Sequence, residues 1–157
     1  MITLPTIPPD AITEYVTTIP YTAISTPATA FRVLIVGLPD QYVVCGTCIR
    51  LLTSFDGTSL NSLTCSLGAF VPNSILTDIT YYGTEFELTQ VVTPESYSLS
   101  GPPGNNLNLG PTQAFAAATA LYFNGAHDVS AYFTSQGTTL NNLTVGAVEI
   151  TVQIRPL

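Results

Sequence analysis

The stretch Val145-Gly-Ala-Val-Glu-Ile-Thr-Val-Gln-Ile154 decides the fold class. Val148, Ile150, Val152 and Ile154 recur at every second position, and Ala147, Glu149, Thr151, Gln153 and Arg155 fill the positions between. Successive side chains of an extended strand point to opposite faces, so this segment has one apolar face and one mixed face. Leu60 to Leu67 repeats the pattern, with Leu63, Cys65 and Leu67 on one side and Ser62, Thr64 and Ser66 on the other.

Working outward, the remaining runs read as strands separated by turn residues. Tyr15 to Ile24 is a strand broken at Pro20, a residue confined to edges and bulges. Phe31 to Val36 closes at the turn Gly37-Leu-Pro-Asp40, and the long run from Gln41 to Phe55 closes at Asp56-Gly57. Ile75 to Val92 is less regular, with Phe86, Leu88 and Gln90 opposite Glu85, Glu87 and Thr89. Residues 93–113, rich in Pro, Gly and Asn, read as a loop. Ala114 to Phe123 reads as a strand, turned by Asn124-Gly125 into a return strand over Val129 to Thr134. The total is about eight strands and no convincing helix. That is the count of an all-β, antiparallel, jelly-roll-like β-sandwich. The expected organisation is an extended N-terminal arm over residues 1–14 and a β-sandwich domain over 15–157. In the arm, Pro5, Pro8 and Pro9 favour extended backbone, and Ile2, Leu4 and Ile7 alternate with polar or proline positions. Ile2, Leu4, Ile7, Pro8 and Pro9 are the candidate partner-binding residues.

Composition narrows the function classes. The 157 residues contain no lysine, and Arg32, Arg50 and Arg155 stand against ten Asp and Glu, for a net charge of −7. Charged residues make up 8% of the chain, against about 25% in an ordinary soluble domain. Nucleic-acid backbones and anionic membranes both require clustered cations, so neither is an expected partner. The uncharged stretch from Ser96 to His127 is broken by Gly101-Pro-Pro-Gly104, by Asn105, Asn106 and Asn108, and by Gly110-Pro111, so it is not a membrane span. The first ten residues lack the basic and apolar regions of a secretory signal. Three cysteines imply no complete disulfide framework, and synthesis in a reducing cytoplasm is expected.

The chemical motifs are thin. His127-Asp128 invites comparison with a catalytic triad, but neighbours on a strand face apart and no G-x-S-x-G nucleophile turn is present. His127 is therefore expected in a turn. Cys45-Gly-Thr-Cys48 has metal-binding spacing without a second ligand pair. In a strand the two thiols face opposite sides and read as small buried hydrophobes, although a bulge at Gly46 would bring them closer. Glu85 and Glu87 share a strand face, as paired glycosidase carboxylates can, but a solvated edge strand accounts for them. Gly101-Pro-Pro-Gly104 lacks the Lys and Ser/Thr of a phosphate loop, and Asn142-Leu-Thr144 fits a glycosylation acceptor only by coincidence in a cytoplasmic product. No catalytic, cofactor or metal residues are expected, and the chain reads as non-enzymatic.

The C-terminal run from Thr134 to Val152 carries the pattern T-x-x-G-x-x-L-N-x-L-T-x-G leading into the last strand. With Ile19-Pro-Tyr-Thr-Ala-Ile24, Leu38-Pro39, the strand from Tyr42 and Leu63-Thr-Cys-Ser-Leu-Gly68, it resembles small jelly-roll head-decoration (cement) proteins of tailed bacteriophages. The resemblance covers most of residues 19–154 and leaves out the arm and the 93–113 loop. It implies a structural virion protein on the outer capsid surface that stabilises the lattice. Its implied partners are copies of itself, as a homotrimer, and the major capsid protein. Physical reasoning points the same way. A negative chain is repelled by packaged DNA but not by an outer surface, and oligomerisation covers a charge-poor exterior. The alternative is a tail-associated receptor- or carbohydrate-binding β-sandwich, using the eight tyrosines and exposed Asn and Thr.

Overall fold

The computed structural model describes residues 12–71, 77–94, 96–100 and 126–156. It contains β1 (Thr13–Pro20), β2 (Ala30–Leu38), β3 (Tyr42–Gly57), β4 (Ser62–Phe70), β5 (Thr77–Glu87), β6 (Tyr97–Ser100), β7 (His127–Gln136) and β8 (Leu143–Pro156). Among the described residues, helix is limited to two 3-10 turns, Tyr21–Ile24 and Leu140–Asn142.

The pairing is nested. The first strand lies antiparallel to the last, the second to the seventh, the third to the sixth and the fourth to the fifth. Two further contacts, β3 with β8 and β4 with β7, join these hairpin layers into two four-stranded sheets of order β1-β8-β3-β6 and β2-β7-β4-β5. A long hairpin rolled so that its layers alternate between two sheets is a jelly roll.

The alternating patterns form the core. Val148, Ile150, Val152 and Ile154 of β8 are buried against Leu63, Cys65, Leu67 and Ala69 of β4 and Val129, Ala131 and Phe133 of β7. Each large apolar side chain so buried contributes roughly 1.5–3 kcal/mol relative to exposure. β1 starts two residues before the sequence pattern placed it. It stops at Pro20, where the chain enters the first 3-10 turn and drops Ile24 into the core.

Two expectations are corrected. Residues 97–100, read as loop, form β6 and pair with Thr47–Arg50 of β3. A four-residue edge strand is too short to show an alternation, and pairing with the long β3 fixes it instead. The segment 114–125, with its Asn-Gly turn, lies outside the described residues. However, β7 is not the return strand of a local hairpin, because β2 and β4 occupy its two edges.

β5 departs furthest from regularity. Leu67 of β4 faces Gly83, but Ala69, two residues on, faces Asp78, so six residues of β5 span three of β4. The excursion is pressed onto the sheet: a Cβ on Gly68 would lie 2.4 Å from the Asp78 carbonyl oxygen and 2.5 Å from the Ile79 Cα. Only glycine allows so close an approach.

Candidate functional site

The residues singled out for chemistry do not converge. His127 is not in a turn. It opens β7 at 2% exposure, on the core side, and its Nε2 lies 2.6 Å from the Tyr82 hydroxyl. The β5 excursion delivers that tyrosine, whose carbonyl accepts a 2.8 Å hydrogen bond from the Thr47 hydroxyl. Burial, with Tyr81 packed edge-on to its ring, raises the Tyr82 pKa and keeps the phenol protonated. The strand alternation turns Asp128 to the opposite face. His127 also borders a shallow depression of about 320 Å³ lined by Gly37, Leu38, Pro39, Ala126 and Asp128. Its ring is buried and its Nε2 is engaged by Tyr82.

Glu85 and Glu87 part company as well. Glu85 is exposed. Glu87, expected on a solvated face, is half-buried and ties the ends of β4 and β5 together. Its carboxylate accepts from the Ser62 hydroxyl at 2.7 Å, from the backbone N–H groups of Leu63 and Thr89 at 3.1 Å each, and from the Thr89 hydroxyl. Burial pushes its pKa up, but these hydrogen bonds outweigh burial and hold it below the usual carboxylate value. This is a staple and not half of an acid–base pair.

The cysteines also depart from expectation. The register of β3 against β8 shifts between Val44 and Gly46. That bulge resets the alternation, so Val44 and Thr47 both point inward and Cys45 and Cys48 both stay half-exposed on the outer side. Only Cys65 is the buried hydrophobe expected, and all three thiols are free. Burial raises the pKa of Cys45 and Cys48, and the neighbouring Arg155 and Arg50 offset this only in part, so neither is an activated thiolate. Among the described residues, no three His, Cys, Asp or Glu side chains gather where they could hold a metal ion. Among the same residues, no helix is long and apolar enough to cross a membrane.

Most of the charges among the described residues serve the fold. Glu14 accepts from Gln153, Asp40 from the Ala126 N–H, Asp56 from the Gly57 N–H and Asp78 from Thr80, and Arg50 pairs with Glu149 at 3.6 Å. The Arg32 guanidinium lies 4.1 Å over the Phe70 ring. The β2–β7–β4 registers place that contact diagonally across Ser130, which explains how an outward-facing serine is fully buried.

The exterior is the remaining candidate. Ile12, Tyr15 and Val16 on or beside β1 and Phe31 and Leu34 on β2 are all more than a third exposed. β1 and β2 are the edge strands on the same side of the sandwich. Tyr15 and Phe31 face inward by register, opposite Val152 and Phe133, so the apolar interior reaches the surface between these two edges. The arm residues Ile2, Leu4, Ile7, Pro8 and Pro9 lie outside the described residues, as do 101–125. The described residues flanking both segments, Ile12 before β1 and Ser100 and Ala126 around the gap, open toward the same end of the sandwich.

Fold and surface thus define a jelly-roll β-sandwich with a charge-poor, partly apolar exterior. No protein-family model matches the chain, and no curated protein matches it. Among solved structures it is similar to a chain of the cyanophage Pam1 capsid asymmetric unit. The TM-score is 0.56 at 14% identity, and the match covers 100% of this chain and 94% of the other. The likeness is one of fold, and it runs the whole length of two chains of similar size.

Proposed function

We propose that this chain is a structural protein of a phage virion: a head-decoration protein that sits as a homotrimer on the outer capsid surface and stabilises the lattice. The observation that carries the reading is the nested jelly roll, similar end to end to a chain of a phage capsid. The surface fits such a role. A net charge of −7 favours an outer site over one facing packaged DNA, and exposed apolar side chains suit burial between subunits. Most of the charges among the described residues are tied into the fold, and the function needs no catalytic centre. The partners are other copies and the major capsid protein, and the arm residues Ile2, Leu4, Ile7, Pro8 and Pro9 make partner contacts. The described residues that flank the arm and the 101–125 segment lie at one end of the sandwich, which is the end proposed to face the assembly.

Co-sedimentation of the purified protein with expanded capsids lacking it tests this reading. Saturable binding, with capsids that better resist heat or chelator, is expected. Binding to host-surface glycans with no affinity for capsids would replace it with the receptor-binding alternative.

A further inference from the structure

The four edge strands of the sandwich are unequally protected. Exposed strand edges invite pairing with other chains, and proteins block them with bulges, charges or short length. β2 carries a register shift at Leu34/Val36, β5 carries two, and β6 is four residues long. β1 has neither a bulge nor a short span, and its guards are one charge, Glu14, and Pro20 at its last position. It pairs with β8 through eight consecutive residues without a shift, and among the described residues no strand covers its other edge. Its only charge, Glu14, is engaged by Gln153. Ile12, Tyr15 and Val16 lie exposed along it, at the side where the apolar interior reaches the surface.

We infer that the free edge of β1 is a strand-addition site, occupied by the N-terminal arm of a neighbouring copy of this chain. The proposal rests on the reading of the chain as a self-assembling structural protein. Eleven residues precede Ile12 and extend to about 36 Å, enough to line the roughly 27 Å of β1. Strand residues direct their N–H groups to alternate edges, so Ile2, Leu4 and Thr6 can all donate toward β1 while Pro5 turns its missing donor to solvent. The arm of the same chain is a poorer occupant. It would have to reverse between residue 8 and Thr13, where Pro8 and Pro9 remove the first ladder donors. Asp10 is the one charged side chain in residues 1–11, so docking brings few like charges together in a protein of net charge −7.

A benzophenone amino acid placed at Leu4 of the full chain tests this. After irradiation, the expected product is a covalently linked multimer on a denaturing gel, with the cross-link mapped by mass spectrometry to Thr13–Pro20 of a second copy. A band of single-chain mass, or a cross-link to any other segment or to capsid protein, overturns the inference. Of Val16→Pro and Thr17→Pro, one removes an N–H from the β8 ladder and the other only a free-edge N–H. The variant that keeps the wild-type circular dichroism should lose the linked band, and retention of the band in that variant also overturns the inference. Capsid co-sedimentation of the same samples separates the two proposals. Capsid binding with a misplaced cross-link sinks arm exchange alone, and a correct cross-link without capsid binding sinks only the decoration role.

Discussion

Glu87 shows how a charge-poor chain uses the charges it has. Its carboxylate accepts four hydrogen bonds at the β4–β5 end, two of them from β4, so Glu87→Gln should cost about 1–2 kcal/mol at neutral pH in a partly solvated site, read by denaturant unfolding. Because its folded pKa is depressed, the stabilisation is fully present above the unfolded value. It is lost as pH falls through the folded one. The difference between wild type and Glu87→Gln should therefore be constant from pH 7 to about pH 5 and shrink below about pH 4. An unchanged difference at pH 3 would mean the carboxylate is not the source. Gly146 is the second decisive residue. Its φ is +138°, and a Cβ there would lie 2.3 Å from Cγ of the buried Phe55 ring. Gly146→Ala should destabilise by about 2–4 kcal/mol, and a melting temperature equal to wild type would contradict that. This glycine ends the T-x-x-G-x-x-L-N-x-L-T-x-G pattern, whose first glycine, Gly137, also has a positive φ and whose Leu140 is fully buried. The pattern is thus a record of turn and packing geometry.

At the scale of elements, the strands with clean alternation were legible and the irregular ones were not. β8 and β4 lie where period two put them, since half-burial leaves that imprint on sequence. β6 left no imprint because four residues paired at an edge need no pattern of their own. His127 was misplaced because nothing local announces the β5 excursion that carries Tyr82 into the core beside it. The bulge at Cys45 likewise reversed the expected facing of Cys48. The excursion makes its own prediction. Tyr82→Phe removes the hydroxyl bonded to His127 Nε2 and should cost about 1–2 kcal/mol. It should also speed amide exchange across residues 78–83 more than in β8. Equal acceleration in both would argue that Tyr82 acts only as bulk.

For the whole molecule, the jelly roll followed from a count of strands, but the nesting of first strand with last was not visible in any one segment. It arises because β8 and β7 each bridge two partners far apart in sequence, and such pairings reflect complementary faces and not local residue order. The missing lysines pointed to an exterior made for subunits, and the fold gives that exterior a direction. The described residues flanking the arm and the 101–125 segment lie at one end, and the unbulged β1 edge runs along one side. Oligomer formation should therefore survive Glu85→Lys on the opposite edge but fail for Tyr15→Lys with Val16→Glu, as light scattering would show. The most direct test of the decoration role is a cryo-EM reconstruction of the phage particle that carries this chain. The expected map has the sandwich on the outer face of the capsid shell, three copies around each site, each arm leading to its neighbour. Density for the sandwich on the tail, on the inner face of the shell or nowhere on the head would contradict it.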